Sequence, residues 1–307
     1  MDWNSGIKGF KAFLQLEKSL SPNTVVAYER DILRLYQFAE EQLSAKSPLD
    51  ISYDDLEEYL AWLSDFSLAD YSRARMLSGI KAFFKYLLIE DLILDDPSEL
   101  LEGPKLRRKI PDVLSYEEVE KMLAAIDLSH PQGHRNRSIL ETIYACGLRV
   151  SELTHLRLSN YYPDIEIVKV VGKGNKERII PIGDSAIKHI NFYLEGSRRH
   201  MTNIDKAHTD YIYLNRRGKK LSRVMVFNII KKAVSDSGIQ KNVSPHTLRH
   251  SFATHLIERG ADLKAVQDML GHESIITTEI YTHLDTEFLR KTVMSYHPAY
   301  IRKSVQN

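Results

Sequence analysis

Apolar residues recur at helical spacing through the first hundred positions of the chain. The pattern predicts four helices, at about 5–20, 24–42, from Tyr53 onward, and 68–88. Ser21 followed by Pro22 is typical of a helix start, because serine caps free N–H groups and proline fits the first turn. No strand pattern interrupts these helices, so we expect a small helical bundle over residues 1–103.

The rest of the chain is also mainly helical but contains one change of period. A basic segment with two prolines occupies 104–112, and we interpret it as an interdomain linker. Between 165 and 182, β-branched residues alternate around a Gly- and Asn-rich turn, which predicts a hairpin with Lys173 at its tip. The other predicted elements are helices at about 115–128, 137–144, 184–200 and 222–237, a short strand at 211–214, and helical spacing in the tail.

Composition places limits on the class of protein. The chain has 307 residues, enough for two domains, and no apolar run reaches the ~20 residues that span a bilayer. A single cysteine, Cys146, excludes an intramolecular disulfide and a cysteine-based zinc site. The N-terminus has no signal-peptide pattern, and we expect a cytoplasmic protein without a membrane partner.

Charge is distributed unevenly along the chain, although the net charge is only +1. Residues 1–103 carry 10 Lys and Arg against 19 Asp and Glu, whereas residues 104–307 carry 32 against 22. A basic C-terminal part favours a polyanionic partner. Scattered solvated charges would give the same asymmetry, so charge alone does not decide.

The stretch from Ser244 to His283 concentrates side chains that could do chemistry. His246 and Arg249 are three apart at a predicted helix start and therefore share a face. His272 and Tyr281 follow within the same stretch. Donors and cations of this kind suit the negative charge of a phosphodiester, and a tyrosine hydroxyl is a possible covalent nucleophile.

Two more cations from elsewhere in the sequence complete this set. Arg149 lies at a helix junction behind Gly147, and Lys173 lies at the hairpin tip. Other basic residues surround that tip: Lys169, Lys176 and Arg178. The combined inventory favours metal-free phosphoryl transfer through a phosphotyrosine, because no paired acidic residues accompany it and no phosphate-binding glycine loop is present.

Each piece also has a structural explanation, and a zinc site is a competing one. A His-x-x-Arg at a helix start is common, Arg149 could cap a helix, and most tyrosines pack in cores. The four histidines that could bind zinc are His246, His250, His255 and His272. No HExxH motif is present, and Arg249 would repel a cation among them.

Four motifs in order resemble the tyrosine recombinases of the lambda-integrase type, and within them the bacterial Xer recombinases that resolve chromosome dimers. They are ACGLRVSEL at 145–153, VVGKGNKERIIPI at 170–182, SPHTLRHSFATHL at 244–256 and MLGHESIITTEIYTH at 269–283. SPNTVVAYERDI and SRARMLSGIKAFFKYL, nearer the N-terminus, resemble the core-binding domain of that family. Any one motif is weak evidence, whereas the ordered combination is specific.

The resemblance implies a mainly α fold in two domains that form a C-shaped clamp on DNA. It implies a four-helix, SAM-like core-binding domain at 1–103, a linker at 104–112, a mostly helical catalytic domain with a small antiparallel β-sheet at 113–290, and a tail for protomer exchange at 291–307. In the tail region, Phe288, Leu289 and Val293 would contact a neighbouring protomer, with packing on the chain's own core as the alternative.

The resemblance also implies a role for each candidate catalytic residue. Arg149, Arg249 and His246 would hold the scissile phosphate, and Glu152 would help to orient the site. Lys173 would protonate the leaving 5′ oxygen, and His272 would complete the phosphate pocket. Tyr281 would attack to form a 3′-phosphotyrosyl link. No cofactor and no metal are expected.

Double-stranded DNA carrying a dif-like recombination site is the implied partner. The implied DNA-contacting residues are Ser21, Asn23, Thr24, Arg30, Arg34, Arg73, Arg75, Lys81, Lys85, Lys105, Arg107 and Arg108. A solvated polar face is the alternative for these residues. We expect a homo-tetramer, or a hetero-tetramer with a second recombinase, with a septal DNA translocase as a further candidate partner. A mobile-element integrase and a DNA-synapsing protein that does not cleave are the competing functions.

Overall fold

The computed structural model describes residues 1–66, 68–104, 112–172, 176–271 and 283–298, with the side chains of Asp65 and 283–288 excepted. The chain divides into two compact units, Met1–Lys109 and Ile110–Asn307. Each unit has its own hydrophobic core. In the described ranges, no helix is both long enough and apolar enough to cross a membrane.

The N-terminal unit contains the four predicted helices. They are α1 (Trp3–Leu16), α2 (Pro22–Gln42), α3 (Tyr53–Asp65) and α4 (Asp70–Ile89). Ser21 caps α2 by accepting from the Thr24 N–H, and Ser52 forms a capping box with Asp55 at the start of α3. The core is aromatic, with Phe10 packed edge-on against Phe83.

Eight helices and a small sheet make up the described part of the C-terminal unit. The helices are α5 (Tyr116–Ala124), α6 (Gly133–Cys146), α7 (Val150–Thr154), α8 (Asp184–Tyr193), α9 (Arg223–Ser237), α10 (Pro245–Glu258), α11 (Leu263–Leu270) and α12 (His283–Tyr296). The predicted helix at 184–200 is shorter than expected, because a wider π-type turn at Leu194–Arg198 follows α8.

The sheet is antiparallel, as predicted, but its third strand is not the predicted one. It comprises β1 (Tyr161–Tyr162), β2 (Ile167–Val171) and β3 (Glu177–Pro181) in that order. The strand predicted at 211–214 is wrong, since Tyr211 and Leu214 make only isolated bridges. The Arg198 side chain donates to the carbonyls of Thr209, Tyr211 and Ile212, so a guanidinium takes acceptors that a neighbouring strand would otherwise occupy.

Helix α12 packs on the core of its own unit. Leu289 and Val293 are buried among the apolar residues of the C-terminal unit. In the structure these two residues therefore pack on the chain's own core, which was the alternative to a protomer contact. The Phe288 side chain and residues 299–307 of the predicted tail lie outside the described residues.

Candidate active site

Arg149 is held at the junction between α6 and α7. Gly147 ends α6 with a φ of +57°, and a Cβ there would come within 2.5 Å of the Phe252 ring, so only glycine fits. The chain then enters α7, where the Arg149 N–H donates to Glu152 Oε2 at 2.7 Å. The predicted helix break thus delivers the Arg149 side chain at the first turn of α7.

Glu152 is the centre of the candidate site. Its side chain is only 1% exposed. Arg149 Nη1 donates to Oε1 at 2.9 Å, and Arg178 donates to both carboxylate oxygens, at 2.7 and 2.9 Å. Arg249 Nη1 lies 3.9 Å from Oε2. One buried carboxylate therefore fixes guanidinium groups from α7, β3 and α10.

Electrostatics keep this carboxylate ionised. Burial by itself would raise the pKa of Glu152, but the hydrogen bonds and charge of Arg178, together with the hydrogen bonds from Arg149, hold the pKa below its ordinary value. Burial lowers the pKa of Arg249 to about 10, with repulsion from Arg149 and Arg178 acting in the same direction. Arg249 still carries its charge at neutral pH.

The C-terminal end of α11 accepts hydrogen bonds from the same three arginines. Its last carbonyls accept one arginine each: Met269 from Arg178 Nε, Leu270 from Arg249 Nη2 and Gly271 from Arg149 Nη2. These carbonyls have no partner within the helix, and the negative end of the helix dipole favours cations. The end of α11, which leads directly to His272 in the sequence, is thereby tied to the arginine cluster.

Arg249 and His246 occupy the first turns of α10. Ser244 caps this helix by accepting from the Thr247 N–H, and Pro245 takes the first helical position, as in the predicted helix start. Arg249 is 8% exposed and also donates to the Gly147 carbonyl at 2.6 Å. His246 is exposed. The two residues thus differ sharply in burial although they lie three apart on one helix.

Three predicted catalytic residues lie outside the described residues: Lys173, His272 and Tyr281. The residues that precede two of them are described. The Gly172 N–H donates to the Lys176 carbonyl at 2.7 Å, and Gly271 ends α11 with a φ of +63°. In the described ranges, no three His, Cys, Asp or Glu side chains are grouped as metal ligands would be. His272 is outside those ranges, so chelation is the test of the zinc alternative.

Arg178 is the site residue that the sequence interpretation placed incorrectly. It was grouped with the basic residues around the hairpin tip, but it is 6% exposed and bonded to Glu152. The signal was present in the alternation of β3. Arg178 pairs with Val170, shares the inward phase of Ile180, and therefore had to point toward the core.

The predicted DNA-contacting residues of the N-terminal unit fall into two groups. Arg75 makes a bidentate bond to the buried Asp31, Arg73 pairs with Asp70, and Lys81 donates to the Glu99 carbonyl. The remaining polar positions are exposed or half-buried: Ser21, Asn23, Thr24, Arg30, Arg34 and Lys85. Lys105, Arg107 and Arg108 lie outside the described residues. DNA contact stays a prediction for both groups.

Comparison with known proteins finds matches over most of the chain. Residues 112–287 match the phage integrase family, and residues 7–91 match the phage integrase N-terminal SAM-like domain. A tyrosine recombinase XerD from Staphylococcus saprophyticus is 43% identical over 95% of this chain and 98% of its own length. One from Staphylococcus aureus strain Mu50 is 42% identical over the same shares.

A solved structure supports the fold independently. A lambda integrase dimer bound to a core site superposes with a TM-score of 0.69 at 20% identity, and the match covers 89% of this chain and 96% of the integrase chain. The chain therefore belongs to the phage integrase family and is a tyrosine site-specific recombinase.

Proposed function

We propose that this recombinase cuts and rejoins duplex DNA through a 3′-phosphotyrosyl intermediate and resolves chromosome dimers at cell division. Support comes from the XerD relatives at 42–43% identity. Among structures of the same fold is XerH bound to its difH substrate after cleavage. Another is a lambda integrase tetramer on a Holliday junction.

The observation that carries the proposal is the pair Arg149 and Arg249, fixed by Glu152 and by the end of α11. Each guanidinium uses some of its five donors on fixed protein acceptors, and the Arg149 side chain is 32% exposed. A phosphodiester could therefore accept the remaining donors. Donors that are already oriented stabilise the added charge of the transition state without reorganising.

The reaction we propose needs only groups of this chain and DNA. The Tyr281 hydroxyl gives its proton to His272 as its oxygen forms a bond to phosphorus, while the bond to the 5′ oxygen breaks and Lys173 gives that oxygen a proton. Arg149, Arg249, His246 and His272 hold the non-bridging oxygens. Rejoining reverses these steps with the 5′ hydroxyl of the partner strand, which displaces the tyrosine. The phosphodiester energy is conserved, and we expect cleavage to survive EDTA.

The partners we propose follow the Xer interpretation. The protein would act in the cytoplasm on a dif-like site, as a homo-tetramer or with a second recombinase, and under the influence of a septal DNA translocase. The exposed polar residues of the N-terminal unit would contact the backbone of the duplex. A mobile-element integrase would perform the same chemistry, and a single target site near the replication terminus would argue against that alternative.

The test separates cleavage from binding on a nicked duplex that carries a site located by footprinting replication-terminus DNA. We expect Arg149→Ala and Arg249→Ala to lose the covalent protein–DNA adduct by at least about 100-fold, since each removes a transition-state donor. DNA affinity should change little, because binding rests on many phosphate contacts. The matched control is Arg290→Ala, which breaks an ion pair with Glu166 outside the cluster.

Three results would contradict the proposal. Absence of an adduct with the wild-type protein would favour a synapsing protein that does not cleave. Equal loss of cleavage and affinity in both variants would make these arginines folding or binding residues. Loss of cleavage in EDTA that zinc restores would support the metal-site alternative.

A further inference from the structure

Arg178 is a buried guanidinium at the meeting point of the segments that carry the predicted catalytic residues. Its Nη1 and Nη2 atoms bind the Glu152 carboxylate, and its Nε atom binds the Met269 carbonyl at 2.8 Å. All three nitrogens are therefore engaged by acceptors from α7 and α11. At 6% exposure, Arg178 has little surface left with which to contact DNA.

Two glycines lie close to the Arg178 side chain. Gly271 lies directly against the guanidinium, since a Cβ at Gly271 would be 3.2 Å from Arg178 Nη1. A Cβ at Gly172 would be 3.4 Å from the same nitrogen. These two glycines immediately precede His272 and Lys173 in the sequence. The Arg178 guanidinium thus lies close to the two glycines that precede these predicted catalytic residues.

The carboxylate that Arg178 binds also orients the phosphate-binding arginines. Glu152 accepts from the Arg149 side chain, and Arg249 lies 3.9 Å away. Arg178 donates to both oxygens of Glu152 through its two Nη atoms, and such a fork fixes the plane of a carboxylate. A lysine has a single charged centre and cannot make both bonds and the Met269 bond with this geometry.

From these contacts we propose that Arg178 is a positioning residue for DNA cleavage. It sets the orientation of Glu152, and through Glu152 that of Arg149, and it holds the end of α11 against the β2–β3 hairpin. It acts without touching the DNA. This inference rests on the proposed function. It adds a residue that is needed for the rate of the chemical step and not for DNA binding.

The test compares Arg178→Lys with wild type on the nicked duplex at saturating protein. We expect the rate of adduct formation to fall about 100-fold, because small displacements of catalytic groups have effects of that size. The protein concentration that gives half-maximal binding of the duplex should change less than threefold. The control, Arg290→Lys, makes the same exchange in an Arg–Glu pair outside the cluster and should keep the wild-type rate.

A pH profile and a double variant distinguish positioning from simple structural support. Three cations face Glu152 in the structure, Arg149, Arg178 and Arg249, so weakening the Arg178 fork should raise the pKa of this buried carboxylate. Cleavage by Arg178→Lys should then recover partly as pH rises from 6 to 8.5, beyond any rise seen in wild type. Adding Arg178→Lys to Glu152→Gln should lower the rate of adduct formation by less than a further threefold. Both changes break the same interaction, the one between Arg178 and Glu152.

Each outcome decides the inference. A wild-type protein that forms no adduct defeats the proposed function itself. A cleaving wild type with Arg178→Lys within threefold of its rate overturns only the role of Arg178. An Arg178→Lys protein that no longer binds DNA would make Arg178 a folding residue, and multiplicative losses in the double variant would show that it does not act through Glu152.

Discussion

At the scale of single residues, two buried carboxylates, Glu152 and Asp31, bind arginines in different settings. Glu152 has three arginines around it, and two of these are candidates for phosphate binding. Asp31 in the N-terminal unit is 1% exposed and has one bidentate partner, Arg75. Burial raises the pKa of Asp31, although the hydrogen bond and charge of Arg75 oppose that rise. We therefore expect Arg75 to stabilise the fold of the N-terminal unit, in addition to any contribution to DNA binding.

Replacing Arg75 tests that assignment. Arg75→Ala should lower the free energy of unfolding by about 2–3 kcal/mol, because it leaves a buried carboxylate without its partner, and the exposure of Arg75 keeps the loss below that of a fully buried pair. Urea unfolding at pH 7.5 measures the effect. Arg30→Ala, on an exposed position nearby, should stay within about 0.5 kcal/mol of wild type. Equal effects of the two changes would show that the Arg75–Asp31 pair does not stabilise the bundle.

At the scale of elements, the sequence predicted what local chemistry determines. The Ser21 cap marked where α2 begins, and Gly147 marked where α6 ends. The third strand was misplaced because β1 is two residues long and depends on pairing with β2, a contact that local pattern does not reveal. The alternation of β3 carried the signal for the burial of Arg178, but its partner Glu152 is distant in sequence, and local pattern does not reveal that contact.

The C-terminal unit also contains a buried histidine next to the end of α12. His297, just beyond α12, is fully buried and packs against Tyr144 and Phe252. Burial lowers its pKa to about 3, and the charges of His255 and Arg259 act in the same direction. The native ring therefore stays neutral at pH values where the unfolded chain, with an ordinary pKa of 6.5, takes up a proton.

This difference predicts an acid-sensitive fold. Stability from His297 is complete above about pH 6.5 and is lost progressively as pH falls toward 3, by up to about 1.4 kcal/mol per pH unit. His297→Phe removes the titration while keeping an aromatic ring. Its unfolding midpoint should drop less than that of wild type between pH 7.5 and pH 5. An identical drop in both proteins would mean that protonation of His297 does not cause the loss of stability at low pH.

At the scale of the whole molecule, residues from widely separated parts of the sequence converge on one carboxylate. Arg149, Arg178 and Arg249 come from three motifs and meet at Glu152 and the end of α11. The ordered motifs were sufficient to predict the family and the candidate catalytic residues. They could not give the geometry, because the distances between side chains depend on how α7, β3, α10 and α11 pack.

We propose that Tyr281 becomes covalently joined to the 3′ end of a cleaved DNA strand, and identifying the linked residue tests this most directly. Trypsin cleavage after Lys264 and Arg290 releases a peptide, residues 265–290, in which Tyr281 is the sole tyrosine. After reaction with the nicked duplex, nuclease digestion and mass spectrometry should find this peptide carrying a nucleotide on Tyr281, and the modified peptide should be absent from Tyr281→Phe. A nucleotide on another peptide, or an adduct that persists in Tyr281→Phe, would contradict the account.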